Sequence, residues 1–169
     1  MRVAEAVGTA LAELGGRHAF GLVGSGNFAP TNAMIAGGVR FVATRHEGAA
    51  VVMADAYSRL SGEVAVCSVH QGPGLTNTVT GLAEAAKSRT PLVLLAADTA
   101  ASAIRSNFRI DQAGLAASVG AIPERVYGAG TATADVARAV WRARVERCPV
   151  VLMLPLDVQA QESEPAPIP

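Results

Sequence analysis

The sequence predicts an α/β protein: a parallel sheet of about six strands covered by helices on both faces, in three layers. Two observations carry this. Short runs that are apolar throughout recur along the chain, each followed by a segment of helical spacing, and strands buried on both faces read this way. Half of the 169 residues are apolar and only 17% are charged, which gives one domain enough material for a sizeable core.

The elements follow in order. Val3, Ala6, Val7, Ala10, Leu11 and Leu14 repeat at helical spacing, and Gly15-Gly16 ends that helix. His18 to Val23 reads as the first strand, running into Gly24-Ser25-Gly26-Asn27, and a helix is expected over Ala29 to Ala36. Phe41 to Thr44 is the second strand. Glu47 to Leu60 is apolar nearly all round (Ala49, Val51, Val52, Met53, Ala56), which predicts a buried helix stopped by Ser61-Gly62. Val64 to Val69 is the third strand, followed by one helix with Leu75, Val79, Leu82, Ala83 and Ala86 on its inner face. Pro91 opens a fourth strand, Leu92 to Ala97, and the polar stretch Asp98 to Gln112 reads as a surface loop. A short helix through Leu115 to Val119 and a strand near Glu124 to Tyr127 come next. Thr133 is the expected N-cap of a helix with Val136, Val140 and Trp141 facing inward, and Val150 to Leu154 is the last strand. The domain is expected to span residues 1–158, with 159–169 (QAQESEPAPIP) a proline-rich linker.

Composition excludes several classes of function. Fourteen basic and fourteen acidic residues cancel, and no basic run suggests a nucleic-acid partner. The apolar stretches break well before the ~20 residues of a membrane span, and the N-terminal segment has no signal-peptide pattern. Cys67 and Cys148 lack metal-type spacing and read as reduced thiols of a cytoplasmic protein.

The chemistry concentrates where strands give way to helices. Glu47 is an isolated acid between the second strand and its helix; the turn Gly72-Pro73-Gly74 occupies the same place one unit later. Both fall at the sheet edge where open α/β folds bind ligands. A first-turn acid also serves simply to stabilise a helix N-terminus, and spacing alone leaves both roles open. Gly24-Ser25-Gly26-Asn27 shares the edge but lacks the glycine spacing of a dinucleotide fingerprint. His46 and His70 end strands here, a position where histidine often has only a structural hydrogen bond. The convergence of Ser25, Glu47, His70 and Gln71 from three consecutive loops is what favours a site.

Arg45-His46-Glu47-Gly48-Ala49-Ala50, Ala54-Asp55-Ala56-Tyr57-Ser58-Arg59 and Gly72-Pro73-Gly74-Leu75-Thr76-Asn77 resemble the N-terminal pyrimidine-binding domain of thiamine-diphosphate enzymes. The similarity is to the acetolactate synthase and benzoylformate decarboxylase branch. It continues through Gly81-Leu82-Ala83-Glu84-Ala85 and the closing Pro149 to Val158, so it covers essentially the whole chain. The resemblance implies the three-layer α/β/α thiamine-diphosphate-binding fold. It also implies that Glu47 hydrogen-bonds the aminopyrimidine ring nitrogen and so activates the cofactor for decarboxylation or carboligation of a 2-oxo acid. A carboxyl group with that task should be desolvated, so that it shares a proton with the ring. By the same similarity Val23, Gly24, Pro73 and Asn77 border the pyrimidine. Ser25, His70 and Gln71 face the substrate, with His70 a second catalytic candidate. Leu22-Val23-Gly24-Ser25 and His70-Gln71 depart from the acetolactate synthase pattern, and Ser25 and His70 resemble the groups at these places in decarboxylases of the benzoylformate type. Phe108 lies in a loop that approaches the substrate in relatives.

In this family a separate domain holds the diphosphate and magnesium through a Gly-Asp-Gly motif that does not occur here. No metal ligands are therefore expected on this chain, only the pyrimidine end of the cofactor. The expected partner is a diphosphate-binding domain or subunit within a homodimer or homotetramer, and the isolated chain is expected to be inactive. The chain is then either a piece of a longer enzyme or one subunit of a two-chain sulfopyruvate- or phosphonopyruvate-type decarboxylase. A catalytically silent binding domain that has kept the fold is the third reading.

Overall fold

Branched and other apolar residues in unbroken runs make central strands with no solvent face, and these assemble as expected with more exposed edge strands into a single sheet. The computed structural model describes residues 1–164 and 167. Among them are six strands: β1 (His18–Gly21), β2 (Arg40–Ala43), β3 (Ala65–Val69), β4 (Leu92–Asp98), β5 (Ile122–Arg125) and β6 (Pro149–Pro155). All neighbours pair in parallel, in the order β2-β1-β3-β4-β6-β5. The helices are α1 (Val3–Leu14), α2 (Phe28–Ala36), α3 (Glu47–Ser61), α4 (Pro73–Thr76), α5 (Val79–Lys87), α6 (Gln112–Ser118), α7 (Ala132–Glu146) and α8 (Leu156–Gln159).

Side chains alternate across the central strands and split the core in two. Val93 and Leu95 join Val7 and Leu11 of α1, Met34 of α2 and Val136 and Val140 of α7 on one face. Leu92, Leu94 and Ala96 join Val51 and Ala54 of α3, Leu82 of α5 and Ala116 of α6 on the other. Leu92, Leu94, Leu95, Leu152 and Leu154 are fully buried, each stabilising the fold by about 2 kcal/mol.

The strand order fixes where a ligand can sit. From β1 the chain crosses to β2 on one side, and β3 then enters on the other side of β1. The loops after β1 and β3 consequently diverge, leaving a crevice at the carboxyl ends of these strands, the position of binding sites in doubly wound sheets. Gly21 and Ser68 pair near the top of this boundary.

Several expectations need correction. The helix read as continuous from Leu75 to Ala86 is two, α4 and α5, interrupted at Asn77 and Thr78. There the Thr78 hydroxyl donates to Leu75 O at 2.6 Å and the Thr76 hydroxyl to Pro73 O at 3.0 Å, local bonds that compete with a continuous helix. Trp141 does not face inward but is 58% exposed; the buried stripe of α7 is Ala132, Val136, Ala139, Val140 and Ala143. The N-cap of α7 is Thr131 rather than Thr133, and the Thr131 hydroxyl reaches Asp135 Oδ2 at 2.8 Å. The fifth strand lies two residues earlier than read. Helix α3 is buried on one side only: Ala50, Val51, Ala54 and Ser58 face the sheet, while Val52, Met53 and Leu60 are exposed.

Residues at the start of the expected linker lie against the rest of the fold. Gln159 Nε2 donates to Leu154 O and to Gly26 O, Val3 N donates to Gln161 O, and Ser163 N donates to Met1 O. Of the remainder of that segment, residues 165, 166, 168 and 169 lie outside the described residues. Cys67 is buried in β3 and Cys148 is half-buried before β6, both as free thiols. Among the described residues no helix is long and apolar enough to cross a membrane.

Candidate active site

Glu47 opens α3, preceded by His46, whose Nδ1 accepts from Gly48 N at 3.0 Å and so caps the helix. That bond accounts for His46 without any catalytic role. Glu47 itself is 8% exposed. Asn77 Nδ2 donates to its Oε2 at 2.8 Å, while its Oε1 takes no hydrogen bond from the described residues. A carbon placed on Gly74 would stand 3.5 Å from that Oε1, so the free oxygen lies beside the glycine turn. Here the Asn77 contact brings together two of the expected residues directly.

The turn after β3 is built on Gly72, at φ 62° and ψ −112°, a conformation essentially reserved for glycine. Pro73 follows at the first helical position, where its missing N–H costs nothing. His70 is half-buried beneath this turn, with Nδ1 enclosed and without a hydrogen-bond partner. Its ring lies 5.0 Å from that of Phe108. Burial pushes the His70 pKa below the ordinary 6.5, offset in part by the Gln71 side chain and by the Glu47 charge. Gln71 is 4% exposed with Oε1 unpartnered.

The loop after β1 closes on this group from the other side of the crevice. A side-chain carbon at Gly26 would fall 2.6 Å from His70 Nδ1 and against Gln71 Oε1, and one at Gly24 would fall 3.1 Å from His70 Cγ. The glycines therefore let the backbone approach both polar side chains. Val23 and Ser25 are exposed on this loop, as is Pro73 on its own turn. Ser25 makes no hydrogen bond among the described residues.

Three polar residues that the sequence reading passed over hold these loops. Asn27, fully buried, accepts from Gly24 N at 2.8 Å and donates to Leu22 O and Ser68 Oγ. Gln112 and Gln159 bond backbone of the Gly72 turn and of Gly26 respectively. An asparagine directly before an apolar helix carries a signal for a cap or loop clamp; the two glutamines offer none, since their partners are distant in sequence. A cavity of about 630 Å³ lies farther along the same carboxyl edge, at the ends of β4 and β5, lined by Asp98, Thr99, Arg109, Asp111 and Arg125 and sharing only Gln112 with the turn. Among the described residues no group of three His, Cys, Asp or Glu is placed to hold a metal ion.

A doubly wound, wholly parallel sheet with an acid and two glycine loops at its switch point defines a small-molecule-binding α/β/α domain. Over residues 1–119 the sequence matches the family described as thiamine pyrophosphate enzyme, N-terminal TPP binding domain, and the chain belongs to that family. The sheet is therefore that of the thiamine-diphosphate-binding fold. Similar proteins include the 2-hydroxyacyl-CoA lyase 2 of Danio rerio, 55% identical over 58 residues, which are 34% of this chain and 9% of that protein. The acetolactate synthase isozyme 3 large subunit of Escherichia coli is 42% identical over 102 residues, 60% of this chain and 18% of that subunit. The large subunit from Buchnera aphidicola (Acyrthosiphon pisum) is 39% identical over the same length. The matched part of this chain thus spans less than a fifth of these relatives.

Proposed function

We propose that this chain supplies the pyrimidine-binding half of a thiamine-diphosphate-dependent enzyme acting on a 2-oxo acid, with Glu47 engaging the aminopyrimidine ring. The observation that carries this reading is the Glu47 carboxylate, buried, with one oxygen held by Asn77 and the other unbonded beside Gly74. A ring nitrogen needs one carboxyl oxygen at a fixed place, and Asn77 supplies the fixing. Gly74 puts no side chain between its backbone and that free oxygen, so the residues fit the group.

When bound, the cofactor supplies the electron sink for making or breaking the bond next to the carbonyl. The Glu47 oxygen left free beside Gly74 would meet the ring nitrogen, with Asn77 holding the other oxygen in place. Backbone of Val23, Gly24 and Pro73 borders the ring. His70, which burial shifts toward its neutral form, and Gln71 with Ser25 orient the substrate. The diphosphate and its magnesium ion belong to a partner domain or subunit. Assembly as a homodimer or homotetramer uses the outer side of α3, where Val52, Met53 and Leu60 are 55%, 39% and 90% exposed, an apolar patch of the kind that marks contact surfaces.

The test is Glu47→Gln in the assembled enzyme, the chain together with its diphosphate-binding partner. Turnover should fall by about 10²-fold or more while circular dichroism stays that of the wild type. Normal turnover would sink the reading.

A further inference from the structure

Gln112 lies away from Glu47 yet is tied into the same edge at two points. It begins α6 and is 3% exposed. Its Oε1 accepts from Gly72 N at 2.9 Å, and its Nε2 donates to Ala97 O, near the end of β4, at 3.0 Å. The loop that brings the chain from β4 to α6 also sets the Phe108 carbonyl 2.5 Å from the point where a Gly72 side chain would start, and lays the Phe108 ring against His70. The Gly72 turn is thus gripped by one buried carboxamide and one aromatic residue of the same loop.

We infer that Gln112 is a positioning residue: it fixes the turn bearing His70, Gln71 and Pro73 to the end of β4, and thereby sets the place and burial of the His70 imidazole. The functional weight of this inference rests on the proposed reading of the Glu47 edge. A carboxamide accepts from one backbone group and donates to the other at the same time. Glutamate keeps the bond from Gly72 N but turns an oxygen on the Ala97 carbonyl. Methionine fills the volume and keeps neither bond. Because burial is the main influence on His70 basicity, with Glu47 the ionisable group acting against it, a loosened turn that admits water changes how the ring titrates.

The experiment is NMR on the 169-residue chain and its Gln112→Met and Gln112→Glu variants, reading Gly72 amide exchange and the His70 titration. In Gln112→Met the Gly72 amide should exchange about ten-fold faster, with Val66 and Ser68 in β3 unchanged, and the His70 pKa should rise toward its ordinary value. Gln112→Glu should retain part of the Gly72 protection. In the assembled enzyme, Gln112→Met should lower kcat. Folded variants with wild-type Gly72 exchange and His70 titration would overturn the inference. So would a uniform loss of protection reaching β3, or unfolding of both variants, because each makes Gln112 a structural residue without a positioning role. The NMR readings need no cofactor, so they succeed or fail independently of the Glu47→Gln result.

Discussion

Asn77 Nδ2 stands 2.8 Å from Glu47 Oε2, joining the residue that ends α4 to the one that opens α3. The contact spans thirty positions of sequence and crosses two loops, so it reports directly on how the edge is assembled. Asn77→Asp replaces a donor by a second acceptor and sets two carboxyl groups against each other. One of them then keeps its proton to higher pH than usual, so the penalty is absent in acid and grows as pH rises. Melting temperatures of the variant and wild type should be closest near pH 5 and differ by about 3 °C at pH 8, equivalent to about 1 kcal/mol at this exposed position. Parallel curves across that range would mean the contact does not form in solution.

Gly72 and Gly62 both have positive φ, but only one is enclosed. At Gly62, the C-cap of α3 with φ 75°, an added side chain meets nothing within 4 Å, so Gly62→Ala costs only the left-handed backbone, about 1 kcal/mol. At Gly72 the same change strains a backbone at ψ −112° and drives into the Phe108 carbonyl. Urea unfolding should show Gly72→Ala destabilised by about 3 kcal/mol or more. Equal losses at the two positions would contradict the described turn.

The strand runs, the Gly62 stop and the placement of Glu47 at a sheet edge were legible in the sequence because local pattern decides them. Strands apolar throughout, each followed by a helix, leave little choice of fold class. What escaped was decided by tertiary partners. Trp141 reads as core by hydropathy, yet α7 is already filled by small residues and valine, so the indole faces out. The division between α4 and α5 depends on hydroxyl-to-carbonyl bonds that helical spacing does not reveal. At the site, Glu47 and the glycine turn stand out as an acid and a breaker between apolar runs. The side chains that hold the loops, Asn27, Gln112 and Gln159, are ordinary polar residues until their distant backbone partners are known.

At the opposite edge of the sheet, the Tyr57 hydroxyl donates to Glu63 and lies 3.0 Å from His18 Nδ1. Glu63 is held below its ordinary 4.5, chiefly by that bond, and Tyr57 is raised above its ordinary 10.0 by the same bond. A lowered acid stabilises the fold above its ordinary value and loses that effect as pH falls. A raised phenol stabilises below 10.0 and loses the effect as pH rises. The stability difference between wild type and Tyr57→Phe should therefore be level between these limits and shrink toward both ends. Denaturant titrations at pH 3, 7 and 11 check this; a difference independent of pH would rule the bond out as the cause.

The two thiols should separate cleanly. Burial within β3 pushes Cys67 up to about 12, with the Glu47 charge adding to it, whereas Cys148 is half-buried and raised less far. Thiolate is the reactive form. An aromatic disulfide reagent at pH 8 should modify Cys148 first, and Cys67 only as fast as the domain opens. Cys148→Ser should then leave a chain that reacts only with added denaturant. Rapid labelling of that variant in buffer would show that β3 is not closed over Cys67.

The outer side of α3 gives the last expectation. Val52 and Met53 point away from the sheet while Val51 and Ala54 fill it, so charge can be introduced on one side without disturbing the other. Val52→Glu and Met53→Glu should leave urea unfolding of the chain within about 0.5 kcal/mol of wild type, as for surface changes elsewhere. If this side joins two chains, either variant buries an unpaired charge in the contact and should weaken association by about 10²-fold, the 3 kcal/mol typical of such a loss. Light scattering across a concentration series reads the change as a shift from dimer to monomer. Association unchanged in both variants would exclude this side of α3 from the contact and move the search for the partner surface elsewhere on the domain.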